Sequence, residues 1–215
     1  LKIISFETSG KTFGISASLD NKPVGEVFWD SGQSHSEKLV SALEWMLGQL
    51  GWEKQEIDKI GVSTGPGSFT GIRVGLSCAR MLAQGLGIPV AGVDSLTVLE
   101  KGAECFGVKI VPAIDALREE LYVKDKKGNV VLITVAEFID GLKKLKTDLA
   151  VAGSGSLVYG ERIQKELKGK VTLLPYEYNL PDASTISKLA FKMKGTSYKK
   201  ATPLYIRRSW AEEKK

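Results

Sequence analysis

The stretch from Asp58 to Val93, DKIGVSTGPGSFTGIRVGLSCARMLAQGLGIPVAGV, leaves this chain few architectures to choose from. Ile60 and Val62 form a short apolar run. Gly65-Pro66-Gly67 then supplies a turn in which proline fixes one φ and the glycines reach angles closed to other residues. Ser68 is placed to cap a helix, Phe69, Ile72, Leu76, Leu82 and Leu86 follow at roughly helical spacing, and Gly87 with Pro89 stops it. Ile88 to Val93 reads as a second buried strand. Strand, crossover helix and strand make a βαβ unit, so the two strands should lie parallel with the helix on one face.

That helix carries Gly71, Gly75 and Gly85, each costing about 1 kcal/mol relative to alanine. Gly71, Gly75 and Ala79 recur every four residues and form a groove of small residues. Such a groove admits close approach by another backbone, either this chain's own sheet or a partner's helix.

Around this unit the chain alternates strands and helices. Lys2 to Thr8, Thr12 to Leu19 and Val24 to Trp29 read as a three-stranded meander. Ser34-x-x-Glu37 is a capping box for a helix reaching Leu50, with Leu39, Leu43, Met46 and Leu47 in its apolar stripe. After the βαβ unit, Asp94-Ser95 caps a helix to about Glu104. Val108 to Ile114, Leu121 to Asp125 and Val130 to Ile133 are strands, and Thr134-x-x-Glu137 is a second capping box, opening a helix to about Leu145. Leu149 to Ala152, Ser156 to Leu167, Val171 to Leu174 and Ser184 to Lys194 complete the series as strand, helix, strand and helix. Each half therefore reads β-β-β-α-β-α, an internal duplication of architecture that divides the chain at 1–105 and 106–195, with a basic tail at 196–215. Each half also ends its first strand on an acid beside a turn, Glu7 and Asp115. Two such acids facing a cleft could hold Mg²⁺ and a nucleotide phosphate.

Composition narrows the function. With 215 residues and 43% hydrophobic content the chain can bury a full core, and no apolar run approaches the roughly 20 residues of a membrane span. A strand so close to the first residue leaves no room for a signal peptide, so a cytoplasmic protein is expected. One histidine, His35, excludes any metal site built on several imidazoles, and its place at a helix start suits exposure. Cys78 and Cys105 are isolated and read as inert packing residues. The net charge of +5 is uneven: residues 186–215 carry nine Lys or Arg against Glu212 and Glu213, giving +7 and leaving −2 for the rest. A basic segment of that kind suits a polyanion or an acidic partner, or simple solvation.

Ile3-Ile4-Ser5-Phe6-Glu7-Thr8, GPGSFTGIRVG from Gly65 to Gly75, Ile114-Asp115-Ala116 with Glu120 and Tyr122, and Pro203-Leu204-Tyr205-Ile206-Arg207 together resemble the TsaB/YeaZ family of bacterial threonylcarbamoyladenosine biosynthesis, over nearly the whole chain. The resemblance implies the actin/Hsp70/sugar-kinase (ASKHA) fold with two ribonuclease-H-like halves. It implies work on adenosine 37 of ANN-decoding tRNAs as the non-catalytic partner of the paralogue TsaD, with TsaE and the threonylcarbamoyl-adenylate synthase completing the pathway. TsaD carries two metal-binding histidines four apart, and here Ser95 and Leu99 stand in those places. Glu7 replaces the usual aspartate, Thr8-Ser9-Gly10-Lys11 only partly matches the phosphate loop, and Leu117 stands where many members have arginine. Glu7, Thr8, Ser9, Asp115, Gly153 and Gly155 thus mark a degenerate nucleotide site. No cofactor is expected to bind tightly, with ATP or ADP and Mg²⁺ reserved for the junction with TsaD. Gly153-Ser154-Gly155 reads equally as a helix-start turn. The resemblance further implies a four-helix contact with TsaD, or with a second copy when alone, through Leu39, Leu43, Met46, Gly71, Gly75, Ala79 and Leu82. The alternatives are an ATPase or small-molecule kinase using Glu7 and Asp115, and a tRNA-binding module using the basic tail.

Overall fold

In the computed structural model, which describes residues 1–30 and 35–206, β1 (Lys2–Glu7), β2 (Thr12–Leu19) and β3 (Lys22–Asp30) form an antiparallel meander. β4 (Lys59–Ser63) and β5 (Val90–Val93) extend it in parallel beyond β1, giving one sheet in the order β3-β2-β1-β4-β5. The expected βαβ unit is present. Ile60 lies opposite Val90 and Val62 opposite Gly92, with α2 (Phe69–Leu86) as the crossover. Ser68 Oγ accepts from the Gly71 amide at 3.2 Å to start α2, and Gly87 closes it at φ 69°, where a side chain would be strained. α1 (His35–Leu50) precedes β4; Ser34 of its expected capping box and the side chain of His35 lie outside the described residues.

The sheet has two unlike faces. Phe6, Phe13, Ile15, Ile60 and Val62 point one way and pack on Leu39, Leu43 and Met46 of α1 and on Ile72, Leu76 and Ala79 of α2. The alternate residues, Ser5, Gly14, Ser16, Ser18, Gly61 and Ser63, point the other way, as the period of two requires. That small, hydroxyl-bearing face is covered by α6 (Ala183–Lys192): a Cβ at Gly14 would touch Ala183 at 3.5 Å, and Ser187 Oγ donates to Ser5 Oγ at 2.8 Å. Asp182 caps α6 through the Thr185 amide at 2.6 Å. Buried Lys59 closes its far end by donating to the carbonyls of Ala190 and Met193 at 3.0 and 2.6 Å.

This changes the expected division of the chain. One unit is Leu1–Val98 with Pro181–Pro203, and the other holds Leu99–Leu180 and Leu204–Ile206, instead of 1–105 and 106–195; most of the expected tail lies outside the described residues. The amphipathic pattern of 184–194 shows that the helix has a buried face but not which sheet it covers. Its small residues fit the glycines and serines of β1, β2 and β4.

In the second unit the strand expected from Val108 to Ile114 is two strands in two sheets, β6 (Lys109–Pro112) and β7 (Ile114–Asp115). The Ala113 N–H makes the last bond of the β6 ladder, to Ala152 O at 2.8 Å, and the Ala113 carbonyl turns to accept from the Gly155 amide at 3.0 Å, so the chain passes from one sheet to the next at this residue. β7 continues antiparallel into β8 (Glu120–Lys124) and β9 (Val130–Thr134), while β6 pairs in parallel with β10 (Leu149–Ala152), which pairs with β11 (Val171–Leu173). α4 (Val135–Lys143) opens on the expected Thr134/Glu137 capping box. α5 (Ser154–Glu166) follows Gly153, and Leu121, Phe138, Ile139, Val151 and Ile163 form the core between them. α3 (Ser95–Gly102) starts where expected, with Asp94 accepting from the Thr97 amide at 2.8 Å. No helix among the described residues is long and apolar enough to cross a membrane.

The glycine groove of α2 faces its own sheet. A Cβ at Gly71 would sit 2.0 Å from the Thr8 carbonyl oxygen, one at Gly75 2.2 Å from Thr8 Oγ1, and Ala79 is fully buried. Leu39, Leu43 and Met46 are core residues of the same layer, and Leu82 packs partly buried against it. The expectation that these seven residues form a partner surface is therefore corrected: the cost of helix glycines is offset by close packing within the unit. Gly75→Ala should destabilise by roughly 1–3 kcal/mol through overpacking, and Thr8→Ala in the same chain should restore much of that, because the clash is with the Thr8 side chain. Gly71→Ala should cost at least as much and resist rescue, because its clash is with backbone. Urea midpoints of the single and double variants check this; equal stability of Gly75→Ala and wild type would refute it.

Candidate functional site

The turn between β1 and β2 gathers the chemistry of the first unit. Glu7 is buried at the end of β1, and its Oε1 accepts both from the Ser9 amide at 2.5 Å and from Ser9 Oγ at 2.6 Å. Ser95, the first residue of α3, donates its Oγ to Ser9 Oγ at 2.8 Å and its amide to Gly65 O at 2.8 Å, while the Ser68 amide donates to Ser9 O at 2.7 Å. Three segments far apart in sequence thus converge on Ser9. The Gly65-Pro66-Gly67 turn is close against it, since a Cβ on Gly67 would lie 2.2 Å from Ser9 O.

Burial lifts the Glu7 carboxyl to about 7, against the pull of Ser9 and Ser63, and Asp182 pushes it further up. Ser63 lies near Glu7, yet neither its hydroxyl nor Glu7 Oε2 makes a hydrogen bond among the described residues. A protonated Oε2 can donate toward Ser63, whereas a carboxylate cannot, so the neutral acid suits this setting.

Of the residues expected to hold a nucleotide, the fold brings Glu7 and Ser9 together but turns Thr8 away. Its side chain points to the opposite face of β1, against α2. Asp115, Gly153 and Gly155 belong to the second unit. The Asp115 amide donates to Ser154 Oγ at 2.9 Å, and its Oδ1 accepts from the Leu117 amide at 3.0 Å and from Tyr159 OH at 3.3 Å. Gly153 has φ 113° and donates its amide to Asn179 Oδ1 at 3.1 Å; a Cβ there would lie 2.4 Å from Ala113 O. These glycines are needed for close packing of the helix start on Ala113. A phosphate loop presents free amides, but the Ser9, Ser68 and Gly155 amides are all engaged within the chain. The side chain nearest to a Mg²⁺ ligand, Glu7, is a buried acid favoured in its neutral form. These residues do not fit a magnesium-bound nucleotide phosphate.

A second feature lies on the outer side of α1 and α2. A groove of about 510 Å³ is lined by Leu39, Val40, Phe69, Thr70, Arg73, Val74, Ser77, Cys78 and Met81. Val40 and Met81 are 45% and 60% exposed, and the Arg73 guanidinium lies 3.7 Å over the Phe69 ring. Burial pushes the Cys78 thiol up to about 11, so it serves as packing. Cys105, expected to be a packing residue too, is exposed. Sequence periodicity identified both helices but left open which way the small residues of α2 face; the residues exposed on this outer side include Val40, Phe69 and Met81.

Over residues 24–203 the chain matches the protein family described as TsaD, tRNA N6-adenosine threonylcarbamoyltransferase. It is 27% identical over 226 residues to the tRNA threonylcarbamoyladenosine biosynthesis protein TsaB of Bacillus subtilis (strain 168), covering 100% of this chain and 97% of that one. The protein of the same description from Escherichia coli (strain K12) is 24% identical over 230 residues, covering 100% and 98%. Among solved structures, YeaZ from Pseudomonas aeruginosa superposes with a TM-score of 0.71 at 21% identity, covering 95% of this chain and 99% of that chain. The fold is the mixed α/β one shared with YeaZ.

The buried acid gives a signed pH dependence. Glu7 has an ordinary value of 4.5 when unfolded and about 7 when folded, so between these the unfolded chain releases a proton that the folded chain keeps. Stability therefore falls as pH rises through that window, by about 3 kcal/mol in all, and is flat in this respect above it. Glu7→Gln keeps an acceptor for Ser9 and removes the fall: it should match wild type at pH 4 and exceed it at pH 8. Urea unfolding of both proteins at four pH values is the check; parallel curves would reject a neutral Glu7.

Proposed function

The chain belongs to the TsaD family of tRNA N6-adenosine threonylcarbamoyltransferase, and within it to the TsaB/YeaZ proteins; from that premise we propose that it serves threonylcarbamoyladenosine formation in tRNA as a non-catalytic subunit that binds and orders a catalytic TsaD. The observation that carries the non-catalytic reading is the engagement of the Ser9 amide by Glu7, which closes the turn where an active relative of this fold would cradle phosphate. The ATPase reading of Glu7 and Asp115 loses its phosphate cradle by the same geometry.

The partner surface is the outer groove of α1 and α2. Val40, Phe69, Val74 and Met81 offer apolar area at helical spacing, Arg73 adds a cation held over Phe69, and the inward glycines keep α2 low on the sheet so that this face stands clear. Two helices of this chain and two of a like-folded partner would pack as a four-helix bundle. Without TsaD, a second copy covers the same face as an isologous homodimer, and TsaE joins the assembled pair.

Val40→Asp with Met81→Asp should abolish TsaD capture and make the isolated chain monomeric in sedimentation, with an unchanged circular dichroism spectrum. A folded double variant that still dimerises and still binds TsaD would overturn the surface assignment. The purified chain should also turn over ATP far below the roughly 1 per second common among enzymes. A faster rate, lost in Asp115→Asn, would overturn the non-catalytic reading.

A further inference from the structure

At the far edge of the first unit's sheet, β5 has a free side. The Ile60 amide donates to Pro89 O at 3.1 Å and the Thr64 amide to Val93 O at 2.8 Å, so the backbone groups of the odd-numbered residues of β5 face β4 and those of Val90 and Gly92 face away. Val90 exchanges both its bonds with Thr196, at 2.9 and 2.8 Å. Gly92, two residues further along that edge, has no backbone partner among the described residues. It lines a cavity of about 420 Å³ whose other walls include Thr64, Lys194, Thr196, Lys200 and Thr202, with the exposed side chain of Met193 as its apolar floor.

The charge around this cavity has one sign. From Lys188 to Lys200 the chain carries Lys188, Lys192, Lys194, Lys199 and Lys200 and no acid, and all five are exposed. The ammonium groups of Lys194 and Lys200 have no ion-pair or hydrogen-bond partner among the described residues. Two unpaired cations, an unpaired edge amide and three threonine hydroxyls around a concave site suit a phosphate. The apolar floor and the volume, larger than a phosphate needs, suit the sugar and base attached to it.

We propose that this cavity takes one nucleotide of a single-stranded RNA segment, its phosphodiester held by Lys194, Lys200 and the Gly92 amide and its ribose and base laid against Met193. The inference rests on the part in tRNA modification proposed above, and gives the chain a direct hold on the substrate of the assembly beside its hold on TsaD.

The test compares the full-length wild type, Lys194→Gln with Lys200→Gln, and a control, Lys126→Gln with Lys127→Gln, in the exposed turn between β8 and β9. Each is titrated with an unmodified tRNA transcript at several salt concentrations, and TsaD binding is measured in parallel. The cavity variant should lose about tenfold in tRNA affinity, and its log–log salt slope should fall by about 2, while the control keeps both nearly unchanged. In the wild type, tRNA should move the Gly92 amide resonance. Unchanged affinity and slope in the cavity variant would overturn the proposal, as would a Gly92 resonance moved by inorganic phosphate but not by tRNA. Loss is attributed to RNA contact when the variant still binds TsaD. A wild type that binds tRNA through this cavity but never binds TsaD would sink the scaffold reading and leave this one standing.

Discussion

The closest backbone approach in the first unit is between α2 and the end of β1, where Gly71 meets the carbonyl of Thr8, and much else follows from it. With no side chain between them, the helix start, the Gly65-Pro66-Gly67 turn and Ser9 share one small volume, and Ser95 is drawn in from α3. The same proximity takes the Ser9 amide inward to Glu7. The turn is a knot of internal hydrogen bonds, held closed by the element that also fixes the architecture. It leaves the outer side of α2, with Phe69, Arg73 and Met81, as the surface on which the helix can act.

The sheet beneath is divided between two kinds of cohesion. On the α1 and α2 side, large apolar residues supply the hydrophobic free energy of the unit. On the α6 side, the buried hydroxyls of Ser16, Ser18 and Ser63 have no hydrogen-bond partner among the described residues, each at a cost of order 1–3 kcal/mol, and the helix is capped at its two ends by Asp182 and Lys59. Between those caps the second face is held by small apolar clusters, Ala190 with Ile3 and Ala91 and Ile186 with Val93 and Val98, which fits a sheet whose residues there are small.

Much of this was legible in the residues. The βαβ unit from Asp58 to Val93, the Thr134/Glu137 capping box and the long similarity around GPGSFTGIRVG follow from local rules that the structure obeys, because turn, cap and period are properties of neighbours in sequence. What the sequence could not show was direction. Gly71, Gly75 and Ala79 mark a close approach but not which partner approaches. Glu7 and Thr8 are adjacent yet lie on opposite faces of β1, and a strand interrupted at Pro112-Ala113 reads as continuous until its hydrogen bonds are traced. Lys194 and Lys200 were visible only as part of a basic tail; the free edge of β5 beside them is a tertiary fact.

The placement of α6 has a consequence for how the protein is made. The strands it covers lie within the first 93 residues, and the helix itself is residues 183–192, after residues 99–180 of the second unit. At typical elongation rates of about 5–20 residues per second, the hydroxyl-bearing face of that sheet is made many seconds before its cover emerges. An exposed face of serine and glycine tolerates water during that interval, where a face of leucine and valine would invite aggregation. The polarity of the face beneath α6 is what lets the nascent first unit wait for its cover.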